Sequence, residues 1–595
     1  MAVTPMMQQY FAVKETVRDC ILMYRLGDFY EMFYEDAQTA SRELDLVLTG
    51  RACGEGDRAP MCGVPFHAVD SYITRLIQKG YRVAICEQTE DPATAVGIVK
   101  RDIVRIVSPG TVTEGDYLSD GKNNFLGCIM TSGIGIGLAF ADISTGEMFA
   151  RSLPAQATSE VLSVLSSYAP SELIYREDTP KEICDFCRSK LNSMLTPRSE
   201  EDFGAQATLP AVEAQFNAGW RDKYGFTVND PSAQAVGALL CYISQTQKTD
   251  IKYMQSLTHI TGDKVMQLDY YSRRNLELTQ TMRLKEKKGS LLWVIDKTVT
   301  SAGARLIRMW LERPLTDSKQ IRRRQDAVSE LFNDAVRRTD ITDGLHRIID
   351  IERFLTKAVY NTASARDMKA FAASLSHIPY IIDRLSSFTS PELTEIADTA
   401  ETFDALVKDI DGMFVDEPPA FIRDGGFIRD GYDEQLDRCR EISNSGQSWM
   451  KNLEEKEKEA TGIKNLRIGY NRVFGYYIEV SKGQTGLVPA TYNRLQTLVN
   501  CERYSIPSMK ELEREMVSGE EKAKAIELMY FEKLRQKVLS VMTQLRYTAG
   551  VLAKLDVYCS FAALAAENNY TRPEVDDSDV IQIKDGRHPV VEKFM

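Results

Sequence analysis

Apolar positions near the start of the chain come in short runs separated by turn residues. Ile21-Leu22-Met23-Tyr24 and Tyr81-Arg82-Val83-Ala84-Ile85-Cys86 have the length and composition of strands. Glu31 to Leu46 and Val69 to Lys79 read as helices. Together they predict a small α/β domain over residues 1–115, followed by a linker rich in Gly, Asp and Ser near Glu114 to Asn124. A second α/β unit is predicted over 123–250. It opens with Phe125 to Ala141, an uncharged stretch holding Thr131, Ser132 and four glycines, which fits a β-hairpin centred on Ser132-Gly133 better than a membrane helix. Its glycines miss the GxGxxG dinucleotide fingerprint, because Leu138 stands where the third glycine belongs. Ala157 to Tyr168 then reads as a helix and Glu172 to Tyr175 as a strand.

From about residue 260 helical patterns dominate. Asp433 to Ala460 predicts one long helix, through Leu436, Cys439, Ile442, Trp449 and Leu453. No proline separates Pro507 from Pro573, and apolar residues recur at steps of three and four from Leu512 to Leu545. That predicts a second, returning helix over 507–570, which at ~1.5 Å per residue approaches ~100 Å. Residues 462–506 between them are aromatic, β-branched and broken by Gly and Pro, as in Val473-Phe474-Gly475-Tyr476-Tyr477-Ile478-Glu479-Val480. The pattern predicts two antiparallel levers with a small β-rich module at their tip. A plain coiled coil without any nucleic-acid role is the competing reading.

Charge sharpens this picture. The 595 residues carry a formal net charge of −12, which excludes binding to nucleic acid by bulk attraction and requires a local basic surface. From Lys464 to Lys510, seven Lys/Arg (464, 467, 472, 482, 494, 503, 510) face only Glu479 and Glu502, a net of +5. Amides and hydroxyls are interleaved with these cations. Asn471, Arg472, Lys482, Arg494, Gln496, Thr497 and Asn500 are therefore candidates for sequence-independent contacts to a DNA backbone. Residues 265–324 are also basic, whereas the first domain holds more acid than base.

Eleven scattered cysteines fit reduced thiols rather than a disulfide framework. Cys184-x-x-Cys187 has no second pair beside it to complete a metal site. Glu15, Arg18 and Asp19 interrupt any secretory signal early. Asp28-x-x-Glu31 has the spacing of a helix capping box, which would leave Phe29 as ordinary core.

A resemblance extends along essentially the whole chain. Thr4-Pro5-Met6-Met7-Gln8-Gln9-Tyr10, Tyr24-Arg25-Leu26-Gly27-Asp28-Phe29-Tyr30-Glu31-Met32-Phe33, Pro60-Met61-Cys62-Gly63-Val64-Pro65-Phe66-His67-Ala68, Asp91-Pro92-Ala93 and Arg105-Ile106-Val107-Ser108-Pro109-Gly110-Thr111 resemble the first domain of the bacterial MutS family of DNA mismatch sensors. Arg273-Arg274-Asn275-Leu276-Glu277, Arg313-Pro314-Leu315, Arg423-Asp424-Gly425-Gly426, Gly475-Tyr476-Tyr477-Ile478 and Gly586-Arg587-His588-Pro589-Val590-Val591-Glu592 match further on, in family order. The resemblance implies a multidomain α/β-plus-α fold. Its parts are a mismatch-binding domain (1–115), an RNase H-like connector (123–250), a core with the first lever (260–446), a β-rich clamp (447–506), the returning lever (507–570) and the start of an ATPase domain (571–595). It implies that Phe29 stacks on a mispaired base from the minor groove while Glu31 hydrogen-bonds that base. It also implies a homodimer around mismatched double-stranded DNA, MutL as a partner through the connector, and a cytoplasmic, nucleoid-associated protein without a membrane role.

The family's ATPase binds ATP and Mg²⁺ through a G-x-x-x-x-G-K-[ST] phosphate loop, and no such run occurs here. The chain as given is thus expected to hold no nucleotide and to have no ATPase activity, as a sequence cut before that domain. Ala141-Asp142-Ile143-Ser144-Thr145-Gly146 also resembles the opening strand of an RNase H-like nuclease, but no motif supplies the further carboxylates that two-metal cleavage needs.

Overall fold

The computed structural model describes residues 4–53, 58–90, 97–113, 121–249, 251–261, 265–471 and 475–595, and of residues 442–449, 451, 508, 511–513 and 515–517 the backbone only. The chain forms two compact units, one of residues 1–362, 377–401 and 542–595 and one of residues 363–376 and 402–541.

In the first unit, strands β1 (Ile21–Leu26), β2 (Phe29–Phe33), β3 (Thr49–Ala52), β4 (Arg58–Pro65), β5 (Val83–Gln88) and β6 (Arg101–Val107) form a sheet in the order β3-β4-β2-β1-β5-β6. Both faces are covered. Ile21, Met23, Tyr30 and Met32 pack with residues of helices Tyr34–Leu44 and Val69–Gln78, while Leu22, Tyr24 and Phe33 pack with Met7 and Tyr10 of helix Pro5–Glu15. Where the sequence pattern predicts a helix from Glu31, strand β2 continues to Phe33 and the helix begins at Tyr34. Period-2 burial of Tyr30 and Met32 between two sheet neighbours outweighs helix propensity there. Glu31 is therefore no capping residue.

The second sheet joins β7 (Phe125–Thr131), β8 (Ile136–Asp142), β9 (Glu147–Leu153), β10 (Glu172–Arg176), β11 (Met194–Arg198) and β12 (Ser256–His259) in the order β11-β10-β7-β8-β9-β12. The hairpin turns at Ser132–Gly135, as its glycines predict. Strand β12 pairs parallel to β9, so this sheet closes beyond the expected limit at residue 250. Helix Pro231–Gln247 lies across it, most of its length buried. The rest of the first unit is helical. Helix Met542–Asn568 is long and apolar enough to cross a membrane, but 67% of its apolar window is buried inside the protein, against neighbours that include helix Ser301–Glu312.

The second unit contains helix Glu434–Thr461, which runs unbroken through the clamp boundary expected at 446, and helix Pro507–Ser540. They pack antiparallel: Asp433 accepts from the Tyr530 hydroxyl at 2.8 Å, and Arg440 pairs with buried Glu527. The returning helix is not continuous to 570. Val541 leaves helical geometry at φ −109°, ψ 17°, and a second helix starts at Met542. Between the long helices, β13 (Arg467–Asn471), β14 (Gly475–Ser481), β15 (Asn493–Thr497) and β16 (Cys501–Ser505) form an antiparallel sheet ordered β13-β14-β16-β15. Its apolar face, with Ile478, Val480 and Tyr504, packs on Met450, Leu453 and Met509 of the helix ends. Near the C-terminus, Pro589–Glu592 forms a helical turn.

Candidate nucleic-acid interface

The β1–β2 hairpin turns through Gly27 and Asp28, with Leu26 paired to Phe29. Gly27 takes φ +57°, which a glycine adopts without steric cost in a two-residue hairpin turn. Arg25 fixes the turn: its Nε donates to the Gly27 carbonyl at 2.6 Å and its guanidinium lies 4.0 Å from the centroid of Phe66. Residues i and i+2 of a strand share a face. Phe29 and Glu31 thus point the same way, toward the face that helix Pro5–Glu15 covers further along at Leu22, Tyr24 and Phe33. At the hairpin end Phe29 remains 47% exposed. Tyr30 points into the opposite core, where burial and its hydrogen bond to Glu87 hold its hydroxyl above the ordinary phenol range. Arg51 of β3 donates to Glu31.

The segment after β6 seats this domain on the second sheet through one buried carboxylate. Glu172 of β10 is fully buried. Its Oε2 accepts from the Ser108 hydroxyl and, at 3.2 Å, from the Gly110 amide, while Oε1 accepts from Tyr242 at 2.6 Å and Thr196 at 2.7 Å. A Cβ at Gly110 would stand 2.7 Å from Leu126 and 2.8 Å from Glu172, so only glycine fits. Arg82 donates to the Tyr242 hydroxyl at 3.1 Å and Arg105 to Gln247 at 3.1 Å. Neither Glu172 nor Arg51 stands out in the sequence. An acidic residue at the start of the apolar run Leu173-Ile174 is the one signal that could have flagged Glu172.

The basic β-module divides the residues expected at a backbone. Arg467, Glu479, Arg503 and Gln496 form one row across all four strands. Arg503 bridges Glu479 at 3.1 Å and Gln496 at 3.2 Å, so these three are paired among themselves, while Arg467 at the end of the row is exposed. A bulge between Arg494 and Gln496 puts Arg494 opposite Tyr504 and Thr497 opposite Glu502, off the Gln496 row. The Arg494 side chain is 64% exposed, 3.8 Å from Glu502. Lys482, Thr497 and Asn500 are exposed, with the Lys482 amide donating to the Asn500 carbonyl at 3.1 Å. Asn471 ends β13 opposite Gly475. Arg472 lies outside the described residues.

Three family models match in order: MutS domain I over residues 4–116, MutS domain II over 124–261 and MutS domain III over 271–562. The DNA mismatch repair protein MutS of Ruminiclostridium cellulolyticum is 44% identical over 595 residues, which is 100% of this chain and 68% of that protein. The MutS proteins of Alkaliphilus oremlandii (42%) and Acetivibrio thermocellus (43%) match over the same shares, 100% of this chain and 68% of theirs. The chain belongs to the MutS family of DNA mismatch repair proteins.

MutS domain I coincides with the sheet that carries Phe29 and Glu31, and domain II with the sheet that closes at β12. Domain III takes in the helices and the basic β-module. Two further sequence features have settled places in this MutS chain. Asp142, where a nuclease reading would begin, is buried and accepts from Ser144, Asn123 and the Asn124 amide. Cys184 and Cys187 are buried free thiols, and burial pushes the Cys187 thiol up to about 12. Among the described residues no group of three or more His, Cys, Asp or Glu could hold a metal ion.

Proposed function

We propose that this MutS chain finds mismatched or unpaired bases by inserting Phe29 into the duplex while Glu31 hydrogen-bonds the displaced base. What carries the reading is a half-exposed phenylalanine at the open end of a hairpin, with a carboxylate on the same face and a rigid turn behind both. An apolar wedge unstacks a base step and kinks the duplex. Bending a short paired site costs on the order of 1–6 kcal/mol, and a mismatch has already lost pairing and stacking, so it deforms more cheaply. The carboxylate repels phosphates and gains only where a base offers a donor.

In this proposal the exposed polar side chains of the β-module, Lys482, Arg494, Thr497 and Asn500, with Asn471, Arg472 and Gln496, hold the DNA backbone without reading sequence. Two copies enclose the duplex, the second domain meets MutL, and the protein works at the nucleoid. ATP and Mg²⁺ enter the proposal only as the family's cofactors, to be held by a G-x-x-x-x-G-K-[ST] run that does not occur in the 595 residues given.

The test is a gel shift with G·T and homoduplex DNA. Phe29→Ala is expected to keep its fold and residual homoduplex binding and to lose its preference for G·T. A variant that still selects G·T overturns the wedge.

A further inference from the structure

Six cationic side chains converge on one cavity of about 180 Å³ between the second sheet and the helical part of the first unit. Lys122 enters from the segment before β7 and Lys190 from the turn before β11. Arg273 and Arg274 come from helix Tyr270–Asn275, Lys285 from the loop after it, and Arg308 from helix Ser301–Glu312. Glu312 is the one carboxylate in the wall, 3.9 Å from Arg308. Arg273 donates to the carbonyls of Ser163 and Glu312, each at 3.0 Å, which pins it without neutralising it. Among the described residues, no carboxylate comes within ion-pair distance of Lys122, Lys190, Arg274 or Lys285, and the buried Nε atoms of Arg273 and Arg308 have no partner.

A chain with a net charge of −12 has ample acid to neutralise such a cluster, yet this wall uses one residue. Cations held together in a partly desolvated cleft repel each other. Lys122 stands exposed at the mouth of the cavity, whereas Arg273 is half-buried and burial lowers its guanidinium below the ordinary arginine range. An anion would relieve all of these costs at once. Arginine forks match the oxygens of a phosphate, and lysines add point charge. The volume is below the ~300 Å³ at which ordinary small-molecule pockets begin, which suits an inorganic anion and not a nucleoside.

We propose that this cavity binds a small phosphate-type anion, inorganic phosphate or diphosphate, between Lys122, Arg273, Arg274 and Arg308. The site is independent of the Phe29 hairpin.

The probe is sodium diphosphate, titrated into the whole 595-residue chain by calorimetry at constant ionic strength, with chloride and sulfate as controls. Lysine footprinting by mass spectrometry follows the same titration. The expected result is saturable binding, with protection of Lys122 and Lys190 but not of Lys464 or Lys482. Lys122→Gln/Arg274→Gln should weaken binding by about tenfold or more, as loss of charge-assisted contacts implies. If that pair misfolds, Arg274→Gln/Lys285→Gln, both exposed, serves instead. No saturable binding at millimolar diphosphate overturns the proposal, as does binding that the folded variants leave unchanged. Protection of these lysines by duplex DNA but not by diphosphate also overturns it, assigning the cluster to a nucleic-acid path.

Discussion

Arg51 reaches diagonally across β4 to place its Nη1 2.6 Å from Oε2 of Glu31, beside the exposed ring of Phe29. Its side chain is 40% exposed and that of Glu31 15%. An ion pair this open contributes about 0–1 kcal/mol to stability, so its main effect is on the direction of the carboxylate. Arg51→Met is expected to change stability in urea by less than about 1 kcal/mol and to lower the G·T-over-homoduplex binding ratio severalfold. A variant that unfolds markedly while keeping its ratio would assign the pair to the fold instead.

Glu172 makes the opposite kind of contact, buried on all sides and shared between two sheets. Removing it leaves the Ser108 and Thr196 hydroxyls, the Tyr242 hydroxyl and the Gly110 amide without their acceptor. Each unsatisfied buried donor costs roughly 1–3 kcal/mol before relaxation. Glu172→Ala should therefore accelerate hydrogen exchange at Gly110 and Thr111 and weaken mismatch binding, although Glu172 touches no DNA in this reading. Glu172→Gln, which keeps one acceptor oxygen, should fall between. Unchanged exchange in the alanine variant would mean that the first sheet is seated by other contacts.

Much of this is legible in the sequence because local pattern and final structure agree. The hairpin at Ser132–Gly135, the strand at Ile21, the long helix from Glu434 and the β-module at its far end follow from periodicity, glycine placement and breakers. Disagreement arises where tertiary contacts decide. Phe29-Tyr30-Glu31 looks like a helix start, but Tyr30 and Met32 fill a core that requires a central strand. Val541 sits among Val538, Ser540 and Thr543, which are only middling helix formers, but no Gly or Pro stands beside it to mark a break. The exposed Phe29 and its carboxylate on one face follow from the strand, and only the resemblance singles them out in advance. Glu172 and Arg51 act through partners 62 and 20 residues away, beyond the reach of any local pattern.

Stability should depend on pH through Glu147. Glu147 on β9 is half-buried, with Asn123 and Thr145 each 3.3 Å from its carboxyl. Asp142 of β8, Glu352, Arg305 and Arg546 face it from the strand and the helices packed around it. Burial first, then Glu352 and Asp142, raise it to about 7. An unfolded glutamate releases its proton near pH ~4.3. Between those values the folded chain holds a proton that the unfolded chain has lost. The stability tied to this group is thus complete below the unfolded value and declines as pH rises through 7, by on the order of 3 kcal/mol. Asp556, raised to about 6 by burial, adds a slope of the same sign. Glu147→Gln removes only the first contribution, so its melting temperature relative to the parent chain should climb between pH 5 and 8. A constant difference would show that Glu147 stays ionised in the folded protein.

The β-module offers a prediction that separates holding DNA from reading it. Lys482 and Arg494 project from its surface, whereas Arg503 is bound to Glu479 and Gln496. Each cation that neutralises a backbone phosphate contributes about −0.9 to the slope of log K against log salt. Lys482→Gln and Arg494→Gln should each make that slope shallower by roughly one unit and weaken G·T and homoduplex DNA to the same degree. Arg503→Gln should leave the slope nearly unchanged and instead destabilise the sheet, because it opens the row from Arg467 to Gln496. Phe29→Ala should do neither and remove selectivity alone. If Lys482→Gln and Arg494→Gln leave the salt dependence as it was, these side chains do not lie on the DNA, and the local charge of this module serves something else.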